Sequence, residues 1–252
     1  MSEEYFYHYT NLSSARRIFI EGKILPSQKT KGDAVHGDGV YLTTLDPKLG
    51  KEAVWKNNWD GVSRTVNEKM ECYFEILLPS TAVRRAKERR DIQVFPGELP
   101  LSEYNWSLKN WSGELLATEH FMIRSEGEAA KKQPFCLGRY TLCRYIIMQD
   151  GTPVYKHDKN QIFLYRNSEG KKWFVGPVAG HTATILAQTS EDSSSPSKTV
   201  QWMYATPDGL KADETLRVNP VYVNHVLKKA MLRRQSDVLN QSNSQTKRQK
   251  VQ

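Results

Sequence analysis

The 252-residue sequence predicts an α+β fold over residues 1–125, a small all-β module over 133–218, and a basic, largely disordered tail over 219–252. Three features carry that prediction. Residues 5–78 alternate short β-like runs with amphipathic segments, which suits strands and helices packed in layers. Residues 133–218 are a series of short strand candidates separated by turn residues. The tail is rich in Gln, Asn and Ser, so burial offers little to offset its ordering entropy. The length suits one large domain or two modest ones.

The first element is Tyr5-Phe6-Tyr7-His8-Tyr9, an aromatic run with strand character. Thr10 or Asn11 can cap a following helix in which Leu12, Ala15, Ile18 and Phe19 share a face, and Gly22 stops it. Val40-Tyr41-Leu42-Thr43 reads as a second strand, entered through Gly37-Asp38-Gly39. Asp46-Pro47 opens another helix, an N-cap followed by proline at the first helical position. Glu71 to Leu78 is a third strand. From Arg84 to Arg90, five positive charges fall in seven residues. That run reads as the solvated face of a short helix rather than a phosphate contact. In the second module Gly138 to Leu142, Pro153 to Tyr155, Gln161 to Tyr165 and Lys172 to Val175 are strand candidates. Asn167 to Gly170 and Pro207 to Gly209 supply turns. Thr189 to Ser197 reads as a long mobile loop, and Val221 to Leu232 as an amphipathic start to the tail.

Charge and composition narrow the function classes. The net charge of +8 is uneven: seven Lys/Arg face one acid from Asn219 onward, and the other 218 residues hold 29 basic against 27 acidic side chains. A nearly neutral body shows no overall bias toward phosphate, so a protein partner is favoured over bulk nucleic acid. No stretch approaches the roughly 20 apolar residues of a membrane span. The acidic start, Met1-Ser2-Glu3-Glu4, lacks a signal-peptide core. Cys72, Cys136 and Cys143 form no CxxC pair, which predicts a reducing, intracellular compartment, cytoplasmic or nuclear. Lys247-Arg248-Gln249-Lys250 is a weak nuclear-import candidate. His120, His157 and His181 have no metal-ligand spacing, so no metal is expected. Neither a Walker loop nor a nucleophile elbow is present.

Two fragments stand out together: Tyr7-His8-Tyr9-Thr10 on the first strand, and Gly37-Asp38-Gly39-Val40-Tyr41-Leu42-Thr43 on the second. Between them lie one helix and Gly22-Lys23-Ile24-Leu25-Pro26-Ser27. This ordered set resembles the HYD-signature ADP-ribosyltransferase toxin-domain family, a branch of the diphtheria-toxin-like transferases with a His-Tyr-acid triad. The resemblance runs from Tyr5 to about Leu101 and is dense only as far as Pro47. It implies an ADP-ribosyltransferase-like two-sheet core with flanking helices, with NAD as co-substrate. His8 would bond the adenosine-side ribose, and Tyr41 would stack on the nicotinamide ring, worth about 1 kcal/mol beyond its area. Tyr9, Thr10, Gly39 and Thr43 would lie beside the dinucleotide. An acid would stabilise the oxocarbenium-like ribose, as in glycoside cleavage. Glu71, Glu75, Asp91, Glu98 and Glu103 are candidates, and Glu98, after a strand and turn, matches the family position best. Gly37 and Gly39 would let backbone approach the ligand. His36 and Asp38 lie in the same glycine loop and could line the pocket, but they read first as part of a solvated, mobile loop.

The implied activity is mono-ADP-ribosyl transfer to a macromolecular, preferably protein, acceptor with release of nicotinamide. Two other readings stay open. One is an NAD- or ADP-ribose-binding interaction module without turnover. The other is an NAD-dependent RNA 2′-phosphotransferase, for which Arg16 and Arg17 are the only local arginines near the first histidine. Gly151 to Lys156, Ile162 to Tyr165 and Lys172 to Pro177 are similar to a small β module that recurs in multidomain proteins and carries no catalytic set. Trp173, Phe174 and Trp202 read as its core.

Overall fold

Strands dominate where the sequence predicts a layered mixture with flanking helices. A computed structural model describes residues 2–31, 36–59, 70–86, 91–148, 151–167, 172–180, 185–188, 195–197 and 201–222. Among them the chain is mostly β, with two large antiparallel sheets and three α-helices. The predicted α+β class is therefore corrected. Its physical cause lies between residues 92 and 124, where short half-polar segments carry too weak an alternation to be read as strands, yet pair into the sheets.

In chain order the N-terminal strands are β1 (Glu3–Thr10), β2 (Lys23–Ile24), β3 (Val40–Thr43), β4 (Cys72–Pro79), β5 (Arg84–Arg85), β6 (Ile92–Phe95), β7 (Leu99–Pro100), β8 (Asn105–Asn110) and β9 (Leu115–Thr118). Seven form one sheet in the order β5-β6-β3-β1-β4-β8-β9, and β2 pairs with β7. The basic run begins as edge strand β5 rather than a helix. Helix α1 (Leu12–Glu21) forms where expected. Asn11 Oδ1 accepts from the Ser14 amide, Gly22 ends it at φ 70°, and Ala15, Ile18 and Phe19 are buried. Phe19 packs edge-on to Phe74 of β4 at 6.0 Å and against Trp106 of β8 at 5.8 Å. Burying a side chain of that size stabilises by about 1.5–3 kcal/mol. Asp46 caps a short 3-10 turn, Pro47–Leu49, before α2 (Lys51–Trp59).

The second sheet contains β10 (His120–Arg124), β11 (Gly138–Ile147), β12 (Pro153–His157), β13 (Phe163–Arg166), β14 (Trp173–Gly176), β15 (Leu186–Gln188), β16 (Trp202–Thr206), β17 (Gly209–Asp213) and β18 (Arg217–Pro220). A five-residue helix, α3 (Glu128–Lys132), follows β10. The order is β17-β16-β15-β14-β13-β12-β11-β10-β18. Its two edges are consecutive in the chain, because Asp213 ends β17 and Arg217 begins β18. Four residue steps span at most about 14 Å, whereas nine flat strands would span about 38 Å. The sheet must therefore curl into a half-barrel.

Both sheets lie within one unit, Met1–Val221, and one hydrophobic core runs from Phe6 to Val218. Trp173 and Trp202 are buried in it, as expected, whereas Phe174, also expected there, is only half-buried. Arg144 of β11 ties the halves together by donating to Phe19 O at 2.9 Å and to Glu119 Oε2 at 2.6 Å. The loop over Thr189–Ser197 lies mostly outside the described residues, as do most of the Asn167–Gly170 turn, His181, and the tail after Tyr222.

Candidate functional site

The site begins where β1 meets β3. On its other side β1 pairs with β4 along its whole length, but with β3 it shares only one register pair, Tyr7 opposite Thr43. Beyond that pair a side chain takes over from the ladder: His8 Nδ1 lies 3.1 Å from the Tyr41 carbonyl oxygen. A carbonyl only accepts, so Nδ1 carries the proton and the neutral ring presents Nε2 as an acceptor. Nε2 makes no hydrogen bond among the described residues. Burial holds the imidazole pKa below its ordinary value, against the opposing pull of the Tyr41 hydrogen bond.

Alternation counted from the Tyr7–Thr43 pair places Tyr9 and Tyr41 on one face of the strands and Phe6, His8 and Leu42 on the other. His8 and Tyr41 are thus joined through main chain, with their rings on opposite sides of the parting between β1 and β3. The Tyr41 hydroxyl is tied to the glycine loop, donating to Gly37 O at 3.0 Å and accepting from the His36 amide at 2.6 Å. The His36 ring lies 6.1 Å away, tilted by 37°. Asp38 Oδ1 accepts from the Lys29 amide.

The open sides of both glycines face protein. A Cβ on Gly39 would sit 2.5 Å from Phe95 O and from Val94 Cγ1, and one on Gly37 would sit 2.7 Å from Arg84 Nη2. Tyr9, Thr10 and Thr43 are buried. The Tyr9 hydroxyl donates to Leu45 O at 3.0 Å, and its ring stacks on Trp111 at 5.2 Å. Thr43 Oγ1 accepts from the Leu45 amide and from Asn57 Nδ2.

The five acids take different positions. Glu98 lies in an exposed turn between β6 and β7, where Oε2 pairs with Lys23 Nζ at 2.7 Å. Glu71 accepts from the Leu12 amide, and Asp91 carbonyl accepts from Thr44. Glu103 sits in a 3-10 turn. Glu75 is the one opposite β1, facing Tyr7 in register. It is held by Lys109 and by Ser107 Oγ at 3.3 Å. Burial first, then Glu75, pushes the Tyr7 phenol up to about 12.

Sequence reasoning did not foresee Lys23 or Arg84 as neighbours of the site. Both arrive through non-local pairing, β2 with β7 and β5 with β6, for which no local signal exists. Arg17 pairs with Glu21 at 3.8 Å, and Arg16 packs on Gly151, so the two α1 arginines do not converge on one another. Two clefts run along β11, and neither is lined by His8, Tyr41 or Glu98. Among the described residues no three His, Cys, Asp or Glu side chains come together as a metal-binding group, and no helix is long and apolar enough to cross a membrane. No family model, curated protein or solved structure matches the chain.

Proposed function

We propose that the protein is a mono-ADP-ribosyltransferase that cleaves NAD and passes ADP-ribose to a macromolecular acceptor, a protein by preference. The observation that carries this reading is the neutral His8 imidazole, its Nδ1–H spent on the Tyr41 carbonyl and its Nε2 lone pair unengaged. An acceptor of that kind suits a ribose hydroxyl. NAD would enter where the β1–β3 ladder parts, with His8 on one side and the Tyr41 ring against the nicotinamide on the other. The C1′–N bond to the cationic nicotinamide breaks, nicotinamide leaves neutral with the bonding pair, and the ribose carries the developing positive charge. A nucleophilic atom of the acceptor then bonds C1′ and gives up its proton to solvent. Glu98 is the proposed stabiliser of that charge and must leave Lys23 to reach it.

Incubation of the chain with adenine-labelled NAD in a cell lysate tests this. Label should become covalently attached to protein as nicotinamide is released, and the double variant His8→Ala, Tyr41→Phe should do neither. Nicotinamide release that survives the double substitution contradicts the assignment. One observation favours a second reading, an NAD- or ADP-ribose-binding module without turnover: the Glu98 carboxylate is already paired with Lys23. Saturable NAD binding with no nicotinamide released over hours would select it.

A further inference from the structure

We propose that the cleft between β11 and β12 is a binding site for a small aromatic carboxylate, independent of the NAD reading above. The two strands create the opening. Leu142 is opposite Tyr155 and Ile147 is opposite Pro153, so five residue steps of β11 face two of β12. The surplus bulges outward, and bulges re-aim side chains. Tyr145, in that stretch, is 98% exposed. With Lys156 of β12 it lines a cleft of about 360 Å³, and small-molecule sites begin at about 300 Å³.

The charged groups around the cleft leave one positive charge over. Both oxygens of Asp158 are engaged: Oδ1 accepts from the Thr141 hydroxyl at 2.6 Å and Oδ2 from Arg139 Nε. Because that hydroxyl donates to Asp158, His120 Nδ1, 3.0 Å from the Thr141 oxygen, is the donor to it. Arg144 is spent on Phe19 O and Glu119. Both His157 nitrogens are bonded to main chain, Nε2 donating to Leu137 O and Nδ1 accepting from the Lys159 and Asn160 amides. Lys156, half-buried and opposite Thr141 in register, has no ion pair among the described residues. A single uncompensated ammonium matches one carboxylate, and the exposed phenol ring in the same cleft offers a flat ligand a stacking face.

Benzoate is the probe, with acetate as the charge without a ring and benzyl alcohol as the ring without a charge. Calorimetric titration of the full chain at neutral pH should show benzoate binding at one site, tighter than either fragment. Lys156→Gln should weaken benzoate about tenfold, the scale of a lost hydrogen bond to a charged group, and leave benzyl alcohol unchanged. Tyr145→Ala should weaken benzoate about fivefold, the scale of an aromatic pair, and leave acetate unchanged. Lys159→Gln removes an exposed charge nearby in the chain and should change nothing. The double variant His8→Ala, Tyr41→Phe should bind benzoate as the wild type does. No saturable benzoate binding by the wild type, or an unchanged affinity in Lys156→Gln or Tyr145→Ala, overturns the proposal. Weakening by Lys159→Gln also overturns it, because the effect is then general charge. So does weakening by the double variant, which would place the ring in the parting between β1 and β3.

Discussion

At the scale of the residue, His8 does two jobs with two nitrogens. Its Nδ1–H replaces a ladder bond that β1 and β3 do not make, and its Nε2 is left as an acceptor. The sign of its titration follows from burial. An imidazole whose folded pKa is lowered binds its proton more readily in the unfolded chain, so stability falls as pH drops below about 6.5. Denaturant unfolding between pH 8 and pH 5 should show that loss in the wild type, and His8→Gln should flatten it. Glu98 behaves differently. Its contact with Lys23 is an exposed ion pair, worth at most about 1 kcal/mol. Glu98→Gln should therefore change stability by less than about 1 kcal/mol. If Glu98 stabilises the reacting ribose, the same change should abolish nicotinamide release.

At the scale of the element, β3 is pinned between β1 and β6 by a glycine that has no room for a side chain. Gly39 adopts φ 147°, bridges to Ser27, and lies against the Phe95 carbonyl. Gly39→Ala should cost roughly 2–4 kcal/mol, read by denaturant unfolding, because backbone rather than a flexible side chain meets the new methyl. A cost below about 1 kcal/mol would mean that β6 yields easily.

The elements also show what a sequence alone can disclose. Helix α1 was legible because its cap, its buried triplet Ala15, Ile18 and Phe19, and its terminal glycine are all local. Strands β1, β3 and β4 were legible because their aromatic and β-branched residues are contiguous. Residues 8 and 41 meet through the Tyr41 carbonyl alone, not through the two rings. The opposite faces of their rings depend on a register that one pair sets, and no local pattern encodes it. Strands β8 to β10 escaped notice because their residues are half polar and their partners are distant. The ladder of β10 with β18 joins residues nearly a hundred positions apart. Arg84 escaped for a related reason: its partner is a main-chain oxygen of the loop before β3, brought near because β5 and β3 both pair with β6.

At the scale of the whole molecule, the half-barrel is latched by one carboxylate. Asp213, at the end of β17, accepts from Ser125 Oγ and the Ala129 amide just beyond β10, and from both the amide and hydroxyl of Thr215. Gly127 sits so near that a Cβ would come within 2.6 Å of Asp213 Oδ1. Burial acts against the charged carboxylate, but these hydrogen bonds outweigh it and hold the pKa at about 2. A carboxylate depressed in the fold contributes stability above its unfolded pKa, near 3.9, and that contribution is lost as pH falls toward 2. Asp213→Ala should destabilise by roughly 2–4 kcal/mol at pH 7. The gap between wild type and variant should narrow as the solution is acidified through pH 4 to 2. A pH-independent gap would show that shape, not charge, closes the seam.

The central claim, that the parting between β1 and β3 receives a dinucleotide at His8, is tested most directly by calorimetric titration of NAD into the wild-type chain and His8→Ala. The account predicts saturable binding at one site in the wild type and an affinity at least about tenfold weaker in the variant. No saturable binding by the wild type, or the same affinity in both proteins, would contradict it.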